Sequence, residues 1–291
     1  MANETELANL IHQTDIVSAV ASEALIQNEN IFPLIHTQPL PANTNVIKFR
    51  KRGSLTAAAG TESTGVTYGA GNEITETAIT ATATRKDGAA KLTVEAARFN
   101  ERGSMISAVE SVVQEASGAL VRLAAADLKT LFSSVSGGVT ATSVLTKDDI
   151  LDARYTVRNG IKSAGSNMLV GMFDYKGVNE LDKELTDLGA AAFQSQVDLG
   201  MLGIASAGTP RGSLFDVAIY ETSGLPTSGS DDVACVWDPM IAFAAGIDTS
   251  GMYTYVQDPL PLSPWFEIYV YSFWSIVEWN DAAAVKVLSD T

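Results

Sequence analysis

The chain has 291 residues, of which 46% are hydrophobic and 18% charged, and carries a net charge of −15. That length holds one large domain or two ordinary ones with a sizeable core, and the composition excludes wholesale disorder. The acidic balance excludes nucleic acid as a tightly held ligand, because phosphate affinity needs clustered Lys and Arg.

Charge placement is more informative than the total. Residues 1–44 hold no Lys or Arg, and none occurs between Arg211 and Lys286. The one dense basic cluster is Lys48, Arg50, Lys51 and Arg52. Such a patch on an acidic chain suits an acidic partner, and a second copy of the same chain is the nearest candidate. Cys235 stands alone in an apolar stretch, so no disulfide framework is expected and the thiol reads as inert core. The acidic opening MANETELANL does not read as a secretory signal. The longest uncharged apolar run, Ile268 to Val277, falls well short of the roughly 20 residues that span a bilayer. A soluble protein made in a reducing compartment is expected.

In chain order, residues 2–44 hold amphipathic stretches (Leu7, Leu10, Ile11, Ile16, Val17, Val20, then Leu25 and Ile26) broken by Pro33, Pro39 and Pro41. Such an arm has little local core and must lie on another body, either its own chain or a neighbour. Asn45–Lys51 alternates as a strand. From Gly53 to Glu76 the composition turns to Gly, Ala, Ser and Thr, with Glu62, Glu73 and Glu76 the only charges. Thr77–Lys86 returns as a strand, Asp87-Gly88 predicts a hairpin turn, and Ala89–Ala97 follows as its partner. A loop this long with nothing to bury by itself predicts a projecting hairpin with a binding role.

Ser104 to Phe132 organises the rest. Met105, Val109, Val112, Val113, Ala116, Leu120, Leu123, Leu128 and Leu131 recur at three- and four-residue steps, predicting one helix about 44 Å long with a Ser104 cap. Gly118 marks a bend or a close approach by another backbone. A second helix is predicted from a Thr146 cap to a C′ glycine at Gly160. A short strand (Asn167–Met172) and a third helix (Tyr175–Leu188) follow, then a small-residue, Gly-punctuated stretch over 189–212. Strands are predicted at Leu214–Tyr220, Val233–Trp237 and Met240–Ile247, giving a mixed α/β domain. A long aromatic strand, Trp265–Trp279, and a closing strand, Ala283–Leu288, end the chain.

No catalytic constellation assembles. His12 and His36 both lie in the arm, no spacing resembles a metal site, and no GxSxG elbow is present. GAGNE (Gly69–Glu73) lacks the Lys and the following helix of a phosphate loop. Asp148/Asp149 reads as helix-start charge and Asp231/Asp232 as a solvated turn. No enzyme activity and no cofactor are expected.

This order of parts resembles a tailed-bacteriophage major capsid protein. VIKFRKRGSLTAAAGTES resembles that family's junction of strand and extended loop. LTKDDILDARYTVRNG with NMLVGMFDYKGVNELDKEL resembles the helix, strand and helix of its axial domain, and GSLFDVAIYETSGLP through MIAFAAGID its later sheet. The resemblance implies an α+β capsid fold with an N-terminal arm (1–44), an extended loop with its base strands (45–88) and a peripheral domain with the spine helix (89–145). An axial domain (146–262) and returning peripheral strands (263–291) complete it. It implies self-assembly into pentamers and hexamers of an icosahedral head around double-stranded DNA, touched only non-specifically, in a virion assembled in the host cytoplasm without a membrane. A separate scaffolding protein, a portal and room for a decoration protein are implied partners. Some relatives cross-link through a loop lysine; residues 53–84 hold none, so no such bond is expected. Lys48, Arg50, Lys51 and Arg52 are expected to pair with Glu62, Glu73 or Glu76 of adjacent copies. The alternatives are an encapsulin-like compartment shell, a surface-array subunit and a soluble α/β hydrolase.

Overall fold

The computed structural model describes residues 30–52, 76–93, 105–141, 144–161, 168–187, 211–248, 252–257 and 265–290. The arm up to residue 29, the finger 53–75, the Ser104 cap, and residues 188–210 of the Gly-punctuated stretch lie outside the described residues.

Fourteen strands and three α-helices are described. The spine, α1 (Met105–Phe132), is one unbroken helix through Gly118. It lies on a sheet built around β13 (Trp265–Glu278), whose one edge pairs with β4 (Thr84–Thr93). The other edge carries β12 (Tyr253–Gln257) and then β11 (Phe243–Ile247) in succession, with β1 (His36–Pro39) parallel outside β11. Strand alternation sends Ile268, Val270 and Trp274 toward the buried side, to meet Val109, Val113, Ala116, Leu120, Ala124 and Leu128 of α1. Leu123 is 38% exposed, and Val121, Ala124 and Ala125 fill the stripe in its place.

The hairpin expected at Asp87-Gly88 is not there. The strand is interrupted only at Ala83, between β3 (Glu76–Thr82) and β4, which do not pair with each other, and β4 runs straight through Gly88. A Cβ on Gly88 would stand 2.9 Å from the Ala116 carbonyl oxygen, so this glycine serves the close seating of the spine on the sheet. β3 pairs with β2 (Val46–Arg52) as a two-stranded hairpin.

The second sheet orders as β5 (Gly138–Thr140), β14 (Ala284–Asp290), β10 (Asp231–Trp237), β6 (Leu169–Asp174), β8 (Val217–Thr222) and β7 (Gly212–Leu214), with β9 (Thr227–Ser228) on β10. β6 and β8 are parallel, with α3 (Tyr175–Asp187) in the crossover. Its Val178, Leu181 and Leu185 are buried. α2 (Lys147–Ile161) starts as expected: Thr146 and Asp149 cap each other, the Asp149 amide donating to Thr146 Oγ1 (3.4 Å) and the Thr146 amide to Asp149 Oδ2 (2.8 Å). Gly160, expected beyond the helix, is inside it; a Cβ there would sit 2.2 Å from the Ala282 carbonyl oxygen.

Leu214–Tyr220, expected as one strand, is two. Phe215 (φ 53°) and Asp216 (φ 62°) form a left-handed turn between β7 and β8. Two positive φ values give the hairpin turn that matches strand twist, but neither residue advertises it as Asn-Gly would.

Strand membership also departs from the expected boundaries. β11 joins the spine sheet, while the closing strand β14 lies between β5 and β10 in the other. The reason is a single bent ribbon: β10 pairs with β14, and β11 pairs with β13. Both chains cross between sheets side by side, tied by Asp238 N–H to Ala283 O (2.9 Å) and Trp279 N–H to Ala242 O (2.8 Å).

The final part of the expected arm belongs to the core of its own chain. Ile31, Leu34 and Ile35 are buried, and Trp237 Nε1 donates to Leu34 O at 2.9 Å.

Candidate assembly surface

The outward face of the spine sheet is set by the odd-numbered residues of β13, from Trp265 to Glu278's neighbour Val277, and by Trp279 just beyond. Its two ends differ. At one end the hairpin β2–β3 is seated: Ile47, Phe49 and Ala81 bury against Ala244, with Leu40, Val277 and Trp279 around them. His36 lies 5.0 Å from Trp279 between ring centres, and Phe49 lies 6.2 Å from it. Burying Ile47 and Phe49 stabilises this seat by about 1.5–3 kcal/mol per side chain.

At the other end the face is aromatic and part-exposed. Tyr253 stacks on Tyr271 at 5.1 Å, Phe273 meets Tyr271 edge-on at 6.1 Å, and Tyr255, 56% exposed, leans on Tyr269. Cations lie over the rings: Arg85 is 4.2 Å from the Tyr271 ring centre and Lys91 is 5.0 Å from that of Trp265. Glu267 accepts from the Tyr269 hydroxyl (2.7 Å) and from Lys91 (3.1 Å), and these bonds hold its carboxyl below the usual range. Tyr, Trp and Arg held rigid and half-exposed are the side chains that dominate protein interfaces.

The sequence-predicted basic residues lie along the hairpin. Lys48 and Arg50 are exposed and alternate with buried Ile47 and Phe49. Arg50 Nη1 stands 3.5 Å from Glu76 Oε2 of its own hairpin, and Arg52 lies opposite Glu76 in the ladder. Glu76, expected to serve an adjacent copy, is thus set against Arg50 within the chain, because strand register brings them together. An exposed pair of this kind contributes little. Lys51 donates to Asn280 Oδ1, clipping the hairpin to the turn after β13. Glu62 and Glu73 lie outside the described residues.

Beside that clip sits a carboxyl pair that pattern reasoning missed. Ser134 Oγ donates to Glu278 Oε2 (2.6 Å), and the Ser136 amide to Asp281 Oδ1 (2.7 Å). Burial pushes the Glu278 carboxyl up, and hydrogen bonding to Asp281 adds to this. Burial alone would raise Asp281 too, but the Ser136 hydroxyl and amide, Glu278 and nearby Lys51 bring it below its ordinary value. The signal was a Glu and an Asp flanking the end of a long strand. The aromatic end was legible as alternation in Trp265–Trp279, but not as a part-exposed face.

No catalytic arrangement appears among the described residues. Asp149 is a helix cap, Asp232 is pushed up by burial and by Asp174, and the His36 ring bonds to Gln38. No group of three or more His, Cys, Asp or Glu among the described residues could hold a metal, and no described helix is long and apolar enough to cross a membrane.

No protein-family model matches this sequence, and no curated protein matches it. Solved structures do match in shape. The capsid of Ralstonia phage GP4 superposes with a TM-score of 0.64 at 8% identity, over 89% of this chain and 87% of that one. The capsid of cyanophage P-SCSP1u gives 0.61 at 8% identity, over 89% and 87%. The SrpI encapsulin from Synechococcus elongatus gives 0.61 at 9% identity, over 91% and 89%. Identities this low speak for the fold, and across nine-tenths of its length this chain has the fold of phage capsid and encapsulin shells.

Proposed function

We propose that this chain is the major capsid protein of a tailed phage, a structural protein without catalytic activity that assembles into pentamers and hexamers of a DNA-containing head. The whole-length match to capsid shells carries this reading. The outward sheet face supports it. The hairpin leaves from the Trp279 end, and the tyrosine-rich patch lies at the opposite, Trp265 end. A projection at one end and a receptive patch at the other would make a head-to-tail contact, which closes into rings when the rotation between copies closes. The remaining basic side chains, Lys48 above all, would face acidic residues of an adjacent copy.

In this reading residues 1–44 are the arm, 45–88 the extended loop with its base strands, and 89–145 with 263–291 the peripheral domain. Residues 146–262 form the axial domain, except that β11 and β12 lie in the spine sheet while β5 and β14 lie in the other. A separate scaffolding protein, a portal and a decoration protein would be its partners, with DNA touched only non-specifically. The second reading is an encapsulin-like shell, favoured by the Synechococcus match. Negative-stain electron microscopy of the purified protein tests the proposal. Shells, tubes or rings are expected; a compact monomer at all concentrations refutes it. Particles from the native source containing double-stranded DNA favour the head, and protein cargo the compartment.

A further inference from the structure

Between the first described residues and the spine lies an apolar cleft of about 220 Å³. Phe32, Leu120, Ile247, Met252, Phe273 and Trp274 line it, and Asn30 stands in its wall. Phe32, Ile247, Met252 and Phe273 are only half-buried, so the cleft is apolar surface without full cover. An apolar cavity of roughly 150 Å³ already has room for a benzene. This one has room for an aliphatic side chain or two. The Asn30 carboxamide accepts from the Phe32 amide at 3.2 Å, which holds the chain entry at the cleft.

We propose that Leu25 and Ile26 of the same chain fill this cleft. They are the nearest apolar pair before Asn30, separated from it by Gln27, Asn28 and Glu29. Ile26 is four Cα steps from Asn30 and Leu25 five, about 14 and 17 Å at full extension, so the pair stays close to the cleft wherever the rest of the arm goes. A tether that short gives an effective concentration in the millimolar range, above what another copy's arm supplies in solution. Polar Gln27, Asn28 and Glu29 suit the exposed bridge. The docked pair would anchor the arm on its own spine and leave residues 1–24 to reach outward. This holds for either shell reading, and for a chain that builds no shell.

The test uses the full chain with paired cysteines, Leu25→Cys or Ile26→Cys with Met252→Cys; native Cys235 is fully buried and stays apart. Mild oxidation is expected to give an intramolecular disulfide for at least one pair, at least tenfold faster than Thr5→Cys with Met252→Cys. Disulfide-linked dimers would show arms exchanged between copies and overturn the proposal, as would no bond from either position. A second measurement does not depend on disulfide geometry. Leu25→Ser with Ile26→Ser is expected to raise binding of a hydrophobic dye several-fold with the far-ultraviolet circular dichroism unchanged; unaltered dye binding overturns the assignment.

Discussion

Replacing Gly160 by alanine should destabilise the protein, although alanine is the better helix former. In an exposed helix interior the exchange stabilises by about 1 kcal/mol. Here the new Cβ would stand 2.2 Å from the Ala282 carbonyl oxygen, where ordinary contact begins at 3.4 Å. The obstacle is backbone and cannot swing aside, so although both residues are exposed, α2 and the turn before β14 must part by roughly 1 Å. That turn carries buried Ala283 and the crossing between sheets, and α2 buries Ile150, Ala153 and Val157. Overpacking of this kind costs about 1–3 kcal/mol, leaving a net loss of up to about 2 kcal/mol. Gly177→Ala is the matched control, because its Cβ would meet only the Leu145 side chain, at 3.4 Å and beyond. It should stabilise by up to about 1 kcal/mol. Urea unfolding followed by circular dichroism, at concentrations below assembly, should move the two midpoints in opposite directions, each by some tenths of a molar. If Gly160→Ala matches or exceeds Gly177→Ala in stability, the close approach of α2 to the turn is wrong.

Asp127 accepts from Lys86 Nζ (3.1 Å) and Trp274 Nε1 (3.0 Å) between spine and sheet, so Asp127→Ala should cost about 1–3 kcal/mol in urea unfolding by stranding both donors. The Cys235 thiol is fully buried and burial pushes its pKa up, so a thiol reagent at pH 8 should label it only when urea unfolds the chain. Glu278 has a raised pKa, so the folded state holds its proton more tightly than the unfolded one. Stability should therefore fall as pH rises from about 4.5 through that raised value, and Glu278→Gln should flatten this part of the profile; an unchanged slope refutes it. Reversing the charges of Lys48, Arg50, Lys51 and Arg52 together should sharply reduce the yield of particles seen by electron microscopy, and normal particles would dispose of their role between copies.

Local rules determined much of this protein. The spine follows from its own stripe of apolar residues, α2 from Thr146 and its first-turn acids, and β2 from the alternation of Ile47 and Phe49 with Lys48 and Arg50. The order of such parts was enough to indicate the fold. What stayed hidden depends on residues distant in sequence. Gly88 and Gly160 look like turn signals by composition, yet one makes room for the Ala116 carbonyl and the other for that of Ala282. A glycine needed because another backbone passes close is indistinguishable, in one dimension, from a glycine that ends an element. Alternation tells that β11 and β14 are strands but not which sheet receives them, and only the bent ribbon with β10 and β13 decides it. The carboxyl pair Glu278–Asp281 arises where the loop after α1 meets the end of β13, and the tyrosine face where β12 pairs with β13. Periodicity fixes which face of an element is greasy, whereas its partner is set by long-range pairing that no local pattern encodes.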